Sequence, residues 1–152
     1  MTRIFGKKDF FVFGVFFIVF LLARPIAIII LAISNANSYA LNVSLRIIIA
    51  VILIIPVVYL LYSVIKFFGF KRAMGIDHFD PSYKDLPMVT EGIFKYTSNA
   101  MYVFGFLVMW LPGFIWASKA ALLSAAFSHL YIWVHYFTVE KPDMKVIYGE
   151  AS

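Results

Sequence analysis

The sequence predicts an all-α integral membrane protein, a bundle of four transmembrane helices with a cytoplasmic loop between helices two and three and a cytoplasmic C-terminal tail. Of the 152 residues, 63% are hydrophobic and 14% are charged, whereas a soluble domain has about 45 to 50% apolar and about 25% charged residues. The mean hydropathy is +0.91. Four apolar stretches, residues 10–33, 41–65, 100–116 and 120–139, can each cross a hydrocarbon core of about 30 Å at about 1.5 Å per residue.

The apolar stretches leave no room for a separate soluble domain, so we expect residues 1–152 to form a single transmembrane domain. The first stretch outlasts the apolar core of a signal peptide, about 7 to 15 residues, and no small-residue cleavage site follows it cleanly, so we expect a retained span. Leu111-Pro112-Gly113 is expected to end or kink the third helix, and Ser118 to cap the fourth.

The distribution of Lys and Arg predicts the orientation. Ten of the 13 basic residues lie before the first stretch, between the second and the third, or after the fourth. Because positive charge accumulates on the cytoplasmic side, both termini are expected to face the cytoplasm. All eight acidic residues fall on that side too. The polar groups able to build a site therefore lie in the second connection, residues 67–99, expected as an ordered non-helical loop, and in the tail after Val139.

Composition excludes several kinds of chemistry. Without cysteine, the chain has no disulfide, thiolate metal site or cysteine nucleophile. The net charge of +5 is dispersed, which suits an anionic lipid surface and does not indicate a nucleic-acid partner. Asp77, His78 and Asp80 are too few clustered ligands to predict a metal site.

One face of the fourth predicted helix carries polar and aromatic residues. His129, Trp133, Tyr136 and Glu140 fall at positions i, i+4, i+7 and i+11. Ionisable groups facing lipid are costly, so this face is expected to point into the bundle or its cytoplasmic mouth. The alternative is structural: Trp133 and Tyr136 as interfacial aromatics, His129 as a hydrogen-bonded helix contact, and Glu140 as a marker of the membrane edge.

Two segments on either side of the last apolar hairpin carry a family resemblance. Residues 92–102 have the sequence GIFKYTSNAMY, and residues 140–149 have the sequence EKPDMKVIYG. Together they resemble membrane methyltransferases related to phosphatidylethanolamine N-methyltransferase and isoprenylcysteine carboxyl methyltransferase. In those families a G-x-Y-R-Y-x-R-H-P-M-Y type segment enters the penultimate helix, and an E-E-x-x-L-x-x-x-F-G type segment follows the last. The matching positions are Gly92, Phe94, Lys95, Tyr96, Met101 and Tyr102, then Glu140, Met144, Tyr148 and Gly149.

The resemblance implies an S-adenosylmethionine-dependent methyltransferase that acts on a membrane lipid acceptor. The sequences Asn99-Ala100-Met101-Tyr102 and Glu140-Lys141-Pro142 favour the amine of phosphatidylethanolamine or its methylated derivatives. The residues expected to contact the cofactor are Asn99, Met101, Tyr102, Gly105, His129, Trp133, Tyr136, Glu140 and Tyr148. Gly105 would permit close backbone approach or serve helix packing. Glu140, His78 and Asp80 are the candidates to take the proton of the acceptor amine.

The departures from the pattern define two alternatives. Ser98-Asn99-Ala100 replaces an Arg-His-Pro sequence of the prenylcysteine branch, and Lys141 replaces a second glutamate. The first alternative is an enzyme that methylates the carboxyl group of a prenylated cysteine, which the missing Arg-His disfavours. The second is a non-catalytic subunit or lipid-binding scaffold with a degenerate methyltransferase fold. A homo-oligomer is compatible with either.

Arg24 and Arg46 interrupt the first two apolar stretches without an acidic residue nearby. We expect both side chains to reach toward the outer headgroups, and a lipid-phosphate contact is the alternative.

Overall fold

The computed structural model describes residues 9–83 and 86–148, without the side chains of residue 81 and of residues 145–148. Two long helices open the fold: α1 (Asp9–Ser34), and α2 (Val43–Ser63), which continues as a π-helical turn, Val64–Phe68. Both are long and apolar enough to cross a membrane. Only 11% of the most apolar window of α1 and 22% of that of α2 is buried inside the protein. Apolar helices exposed to this extent indicate association with a membrane.

The other two apolar stretches are helical but less regular. The third consists of α4 (Ala100–Phe104), a 3-10 turn (Gly105–Met109) and α5 (Leu111–Ile115). The break at Leu111 agrees with the expectation for Pro112, which has no N–H to donate within a helix. The fourth consists of α6 (Lys119–His135), a π-helical turn (Tyr136–Glu140) and α7 (Lys141–Tyr148), so the predicted tail is a continuation of the helix. No strand occurs among the described residues.

The third helical segment packs between the others. It contacts α2 along α4, the 3-10 turn and α5, while α1 packs against α6 and α5. Ala32 of α1 and Ala121 and Ala125 of α6 are fully buried in one core with Met109. Side chains this small let helix backbones approach closely, which is how helices in lipid gain their packing energy.

Hydrogen bonds join the first loop, residues 35–42 between α1 and α2, to the turn between α5 and α6. The Asn35 side-chain oxygen accepts from Ser118 Oγ and from the Ala120 N–H, both at 3.2 Å. The Asn37 N–H donates to the Trp116 carbonyl at 2.8 Å. Ser118 is fully buried and caps α6 as the sequence predicts, because its hydroxyl also accepts an N–H of the first helical turn. These bonds fix one end of the molecule.

At the opposite end the second connection is docked on α2. The buried Ser63 hydroxyl donates to the Tyr59 carbonyl at 2.8 Å and accepts from the Ile93 N–H at 3.0 Å. Gly92 has φ +61°, and a Cβ there would lie 2.6 Å from Ser63 Oγ. Glycine is therefore required both by the backbone conformation and by the close approach.

In its described residues, 67–83 and 86–99, the connection is ordered, as expected, but it is not free of helix. Its short helical elements are α3 (Phe70–Ala73) and 3-10 turns at Ile76–His78, Pro81–Tyr83 and Gly92–Lys95. Phe68 stacks on Phe94 with ring centroids 5.0 Å apart, and the Arg72 guanidinium lies 5.3 Å from the Phe68 ring. Phe79 packs on Phe13 of α1 at 5.2 Å. Turn-forming residues alternate with these apolar anchors, so single turns form between the anchored points.

We predict that Gly92→Ala destabilises the protein more than Gly75→Ala. Both glycines have positive φ, which costs another residue about 1 to 3 kcal/mol. At Gly75 the nearest atom to an added Cβ is 3.5 Å away, so only this backbone cost applies. At Gly92 the Ser63 hydroxyl must also move, which costs about 1 to 3 kcal/mol more for the lost hydrogen bond. Unfolding in detergent measures both; equal losses would contradict the docking described for Gly92.

Candidate active site

Four aromatic side chains cluster where α4 meets the end of α6. Tyr102 of α4 lies 6.3 Å from Trp133 and 5.7 Å from Tyr136, measured between ring centroids. Phe137 adds a fourth ring, 5.1 Å from Tyr136. We call Tyr102, Trp133, Tyr136 and Phe137 the aromatic cluster. It joins the start of the third apolar stretch to the last turns of the fourth, residues 120–139.

Local backbone structure positions the two sides of this cluster. The Asn99 carbonyl accepts the Tyr102 N–H at 3.0 Å, and the Asn99 N–H donates to Thr97 Oγ1 at 3.2 Å, so Tyr102 is held on the first turn of α4. On the other side, α6 widens into the π-helical turn at Tyr136. Such turns are rare and occur frequently at functional sites.

Glu140 ends the π-helical turn one helical turn beyond Tyr136. Its carboxyl group is half-buried, and this burial, with the negative charges of Asp77 and Asp143, raises its pKa to about 7. Asp77 belongs to the 3-10 turn of the second connection. The second connection and the last helix therefore come together at Glu140. A carboxyl group with this pKa exchanges its proton near neutral pH, which suits an acid or base.

The other two candidate bases have different surroundings. His78 is exposed. The Asp80 carboxylate accepts the Ser82 N–H at 3.0 Å, and this hydrogen bond lowers the pKa of Asp80. Asp80 thus stabilises a turn in its ionised form, which makes it a weaker base than Glu140.

Three predicted cofactor contacts lie in helix-packing positions. His129 Nδ1 accepts a hydrogen bond from Trp110 Nε1 at 3.2 Å, the geometry of the structural alternative given for this residue. A Cβ on Gly105 would lie 3.1 Å from a methyl group of Leu60, so Gly105 faces α2. Met101 packs on the core around Leu60. Their contact with a cofactor stays a prediction, as does that of Tyr148, whose side chain lies outside the described part of the structure.

The sequence did not identify Asp77 and Phe137 as parts of this site. Asp77 had been considered only as a metal ligand, and its proximity to Glu140 arises from the path of the connection, which no local pattern reveals. Phe137 adjoins Tyr136, and the π-helical turn brings both rings together. In residues 9–83 and 86–148, no group of three or more His, Asp or Glu side chains is arranged to hold a metal ion.

The arrangement defines a class of protein. Aromatic faces attract cations, and the half-buried carboxylate one helical turn further along adds opposite charge. Among the described residues, helices without strands and the exposed, membrane-length α1 and α2 are the features of a membrane-associated protein.

Comparison with known families agrees with a membrane-associated protein and also identifies the family. The model of the phospholipid methyltransferase family matches residues 45–151. The match covers more than half of the chain, so this chain belongs to the phospholipid methyltransferase family, which confirms the resemblance found in the sequence. Membership supports methyltransferase activity. No curated protein and no solved structure matches the chain significantly.

We predict that Glu140→Gln stabilises the protein at pH 8 and much less at pH 5. The pKa is raised from 4.5 to about 7 on folding, so the folded state holds this proton more tightly than the unfolded state. Ionisation between these values therefore disfavours folding, and wild-type stability falls as pH rises through this range. Melting temperatures in detergent at both pH values test this. Glu91→Gln, at an exposed position, is the control; an equal gain at both pH values for Glu140→Gln would be inconsistent with the raised pKa.

Proposed function

We propose that this chain uses S-adenosylmethionine to methylate the amine of phosphatidylethanolamine or its methylated derivatives. Family membership supports methyl transfer. The geometric observation that carries the proposal is the contact of Tyr102 with Trp133 and Tyr136, one helical turn before Glu140. It joins the first of the two segments on which the resemblance rests, residues 92–102, to the helix that leads into the second, residues 140–149.

The residues present fit the charge of the proposed cofactor. S-adenosylmethionine, when bound, would supply a methyl group carried on a positively charged sulfonium. The rings of Tyr102, Trp133 and Tyr136 offer π faces to a cation, each worth about 0.5 to 2 kcal/mol. Glu140, one helical turn beyond Tyr136, adds a carboxylate at the same end of the helix. Fixed groups of this kind need no reorganisation as charge moves during the reaction.

Glu140 also suits the proton chemistry of the acceptor. An amine attacks only in its neutral form, so the ammonium group of the lipid must first lose a proton. The pKa of Glu140, about 7, lets its carboxylate accept that proton near neutral pH without holding it permanently. Binding the ammonium group of the cofactor is the other role open to Glu140.

We further propose that the chain crosses the membrane four times with both termini in the cytoplasm. The lengths of α1 and α2 and the distribution of Lys and Arg support this topology. The third stretch, Ala100–Ile115, is shorter. Its 3-10 turn rises about 2.0 Å per residue instead of about 1.5 Å, which lengthens it. The candidate active site would then lie at the inner leaflet.

We predict that membranes containing the chain transfer labelled methyl groups from S-adenosylmethionine to lipid, and that Glu140→Gln lowers the rate about a hundredfold, the usual effect of losing an acid or base. Trp133→Leu should reduce the rate more than Trp133→Phe, because phenylalanine keeps a π face. Phe127→Leu, on an exposed part of α6, is the matched control and should leave the rate unchanged. The lipid extract is resolved by headgroup.

This assay separates the proposal from its alternatives. If label appears only in a supplied prenylated cysteine, the methyl acceptor is a carboxyl group and the proposed lipid amine is wrong. Absence of label from every acceptor, with a correctly folded chain, would favour a non-catalytic subunit. An unchanged rate in Glu140→Gln would remove this residue from the proposed chemistry.

The absence of cysteine makes the topology directly testable. We predict that Ala40→Cys and Lys119→Cys react with a membrane-impermeant maleimide in intact cells. Lys71→Cys and Glu91→Cys should react only after permeabilisation. All four positions are exposed, so a different pattern cannot be attributed to burial within the protein. Reaction of both pairs in intact cells, or of neither, would contradict the proposed orientation.

A further inference from the structure

A groove runs between α2 and the third helical segment, near the start of α2. Its volume is about 460 Å³. The lining residues are mostly aliphatic, from one face of α2 and from α5: Val43, Arg46, Ile47, Ala50, Val51, Ile54, Leu111 and Ile115. From Arg46 to Ile54 the groove follows α2 for about 12 Å. Its dimensions and lining suit a hydrocarbon chain.

Arg46 is the one charged residue of this lining, and its side chain is held in place. Its Nε donates to the Leu41 carbonyl at 2.9 Å, and Nη1 donates to Asn37 Oδ1 at 3.0 Å. Both partners belong to the first loop, so the guanidinium reaches back toward the end of the helix. A guanidinium has five N–H donors in a planar fork that matches phosphate. The described hydrogen bonds use two of them.

The chain places no carboxylate in the sequence around this arginine. All eight acidic residues lie at position 9, within 77–91 or within 140–150. The second connection, which carries four of them, docks on α2 at Ser63. Ser63 is about 26 Å along the helix from Arg46. An anion that complements the charge of Arg46 therefore has to come from outside the chain. The adjoining apolar groove favours an anion that carries a hydrocarbon chain.

We propose that this groove binds a phospholipid, with its phosphate at Arg46 and one acyl chain along α2 toward Ile54. The site is separate from the candidate active site, which lies at the other end of α2. The lipid would occupy the opposite leaflet from the methyl acceptor and fill the space between α2 and α5. Lipid binding in this groove requires that α2 lies in the membrane, but it does not require methyltransferase activity.

Native mass spectrometry of the full chain in detergent tests the proposal. Dimyristoyl phosphatidylglycerol should be retained about tenfold more than dimyristoyl glycerol, which lacks the phosphate. Arg46→Ala should abolish this preference. Ala50→Trp, which fills the groove, should lower retention of the phospholipid. Lys119→Ala removes a nearby charge, and Ile52→Trp adds a ring on the exposed face of α2; both should bind as the wild type does.

Three outcomes would overturn the proposal. They are equal retention of the two lipids by the wild type, undiminished phospholipid binding in folded Arg46→Ala, and displacement of the phospholipid by inorganic phosphate alone. If Ala50→Trp fails to fold, the proposal is still tested by comparing the retention of the two lipids by the wild type and by Arg46→Ala. None of these measurements depends on methyl transfer, so the result is independent of the proposed enzymatic function.

Discussion

The hydrogen bond from the Ile93 N–H to Ser63 Oγ sets the position of the chain that leads into the candidate active site. An unpaired polar group inside this apolar core would cost about 1 to 3 kcal/mol, and here one hydroxyl satisfies both the Tyr59 carbonyl and the incoming N–H. The bond anchors the second connection to α2 just before α4 begins. Tyr102 on the first turns of α4 is thereby brought to the level at which α6 presents Trp133 and Tyr136.

The opposite end of the molecule fixes the other half of that contact. Asn35 and Ser118 determine where α6 starts, and a helix once started has a determined register. Trp133 and Tyr136 follow about four and five turns later, with the π-helical turn making the final adjustment at Tyr136. The aromatic cluster therefore depends on polar contacts at both ends of the bundle. The apolar interior between them, built on small residues such as Ala121 and Ala125, supplies close packing.

The sequence was sufficient for features that depend on local pattern. The sequence predicts a span over residues 10–33, and these residues form α1 (Asp9–Ser34), because predominantly apolar composition over this length favours a long helix even with Arg24 inside it. The Ser118 cap was predicted from its residue type. The family could be identified because short motifs keep their spacing. Tyr102 of the first motif meets Trp133 on the helix that leads into the second motif, and contact between the two motifs themselves stays a prediction.

Features that depend on tertiary contact could not be read from the sequence. Gly92 was noted as a motif position, but its close approach to Ser63 requires the fold. Periodicity places His129 on the same face as Glu140, yet the His129 ring accepts a hydrogen bond from Trp110. Residues on one face of a long helix contact different neighbours along its length. The π-helical turns have no simple sequence signal, and Asp77 reaches Glu140 only through the course of the connection.

The separation of charge along the bundle explains why its two ends suit different ligands. At the end of the bundle that holds Glu140, burial raises the pKa of this residue, and the negative charges of Asp77 and Asp143 raise it further, so this end favours a cation. Near the start of α2 there is no acidic residue in the local sequence, and Arg46 stands at an apolar groove. A guanidinium within a membrane span is costly unless it reaches the headgroups or is paired with an anion. Phospholipids present that anion at headgroup depth on either side of the membrane. The same charge pattern therefore supports both proposals, a sulfonium or ammonium group at one end and a phosphate at the other.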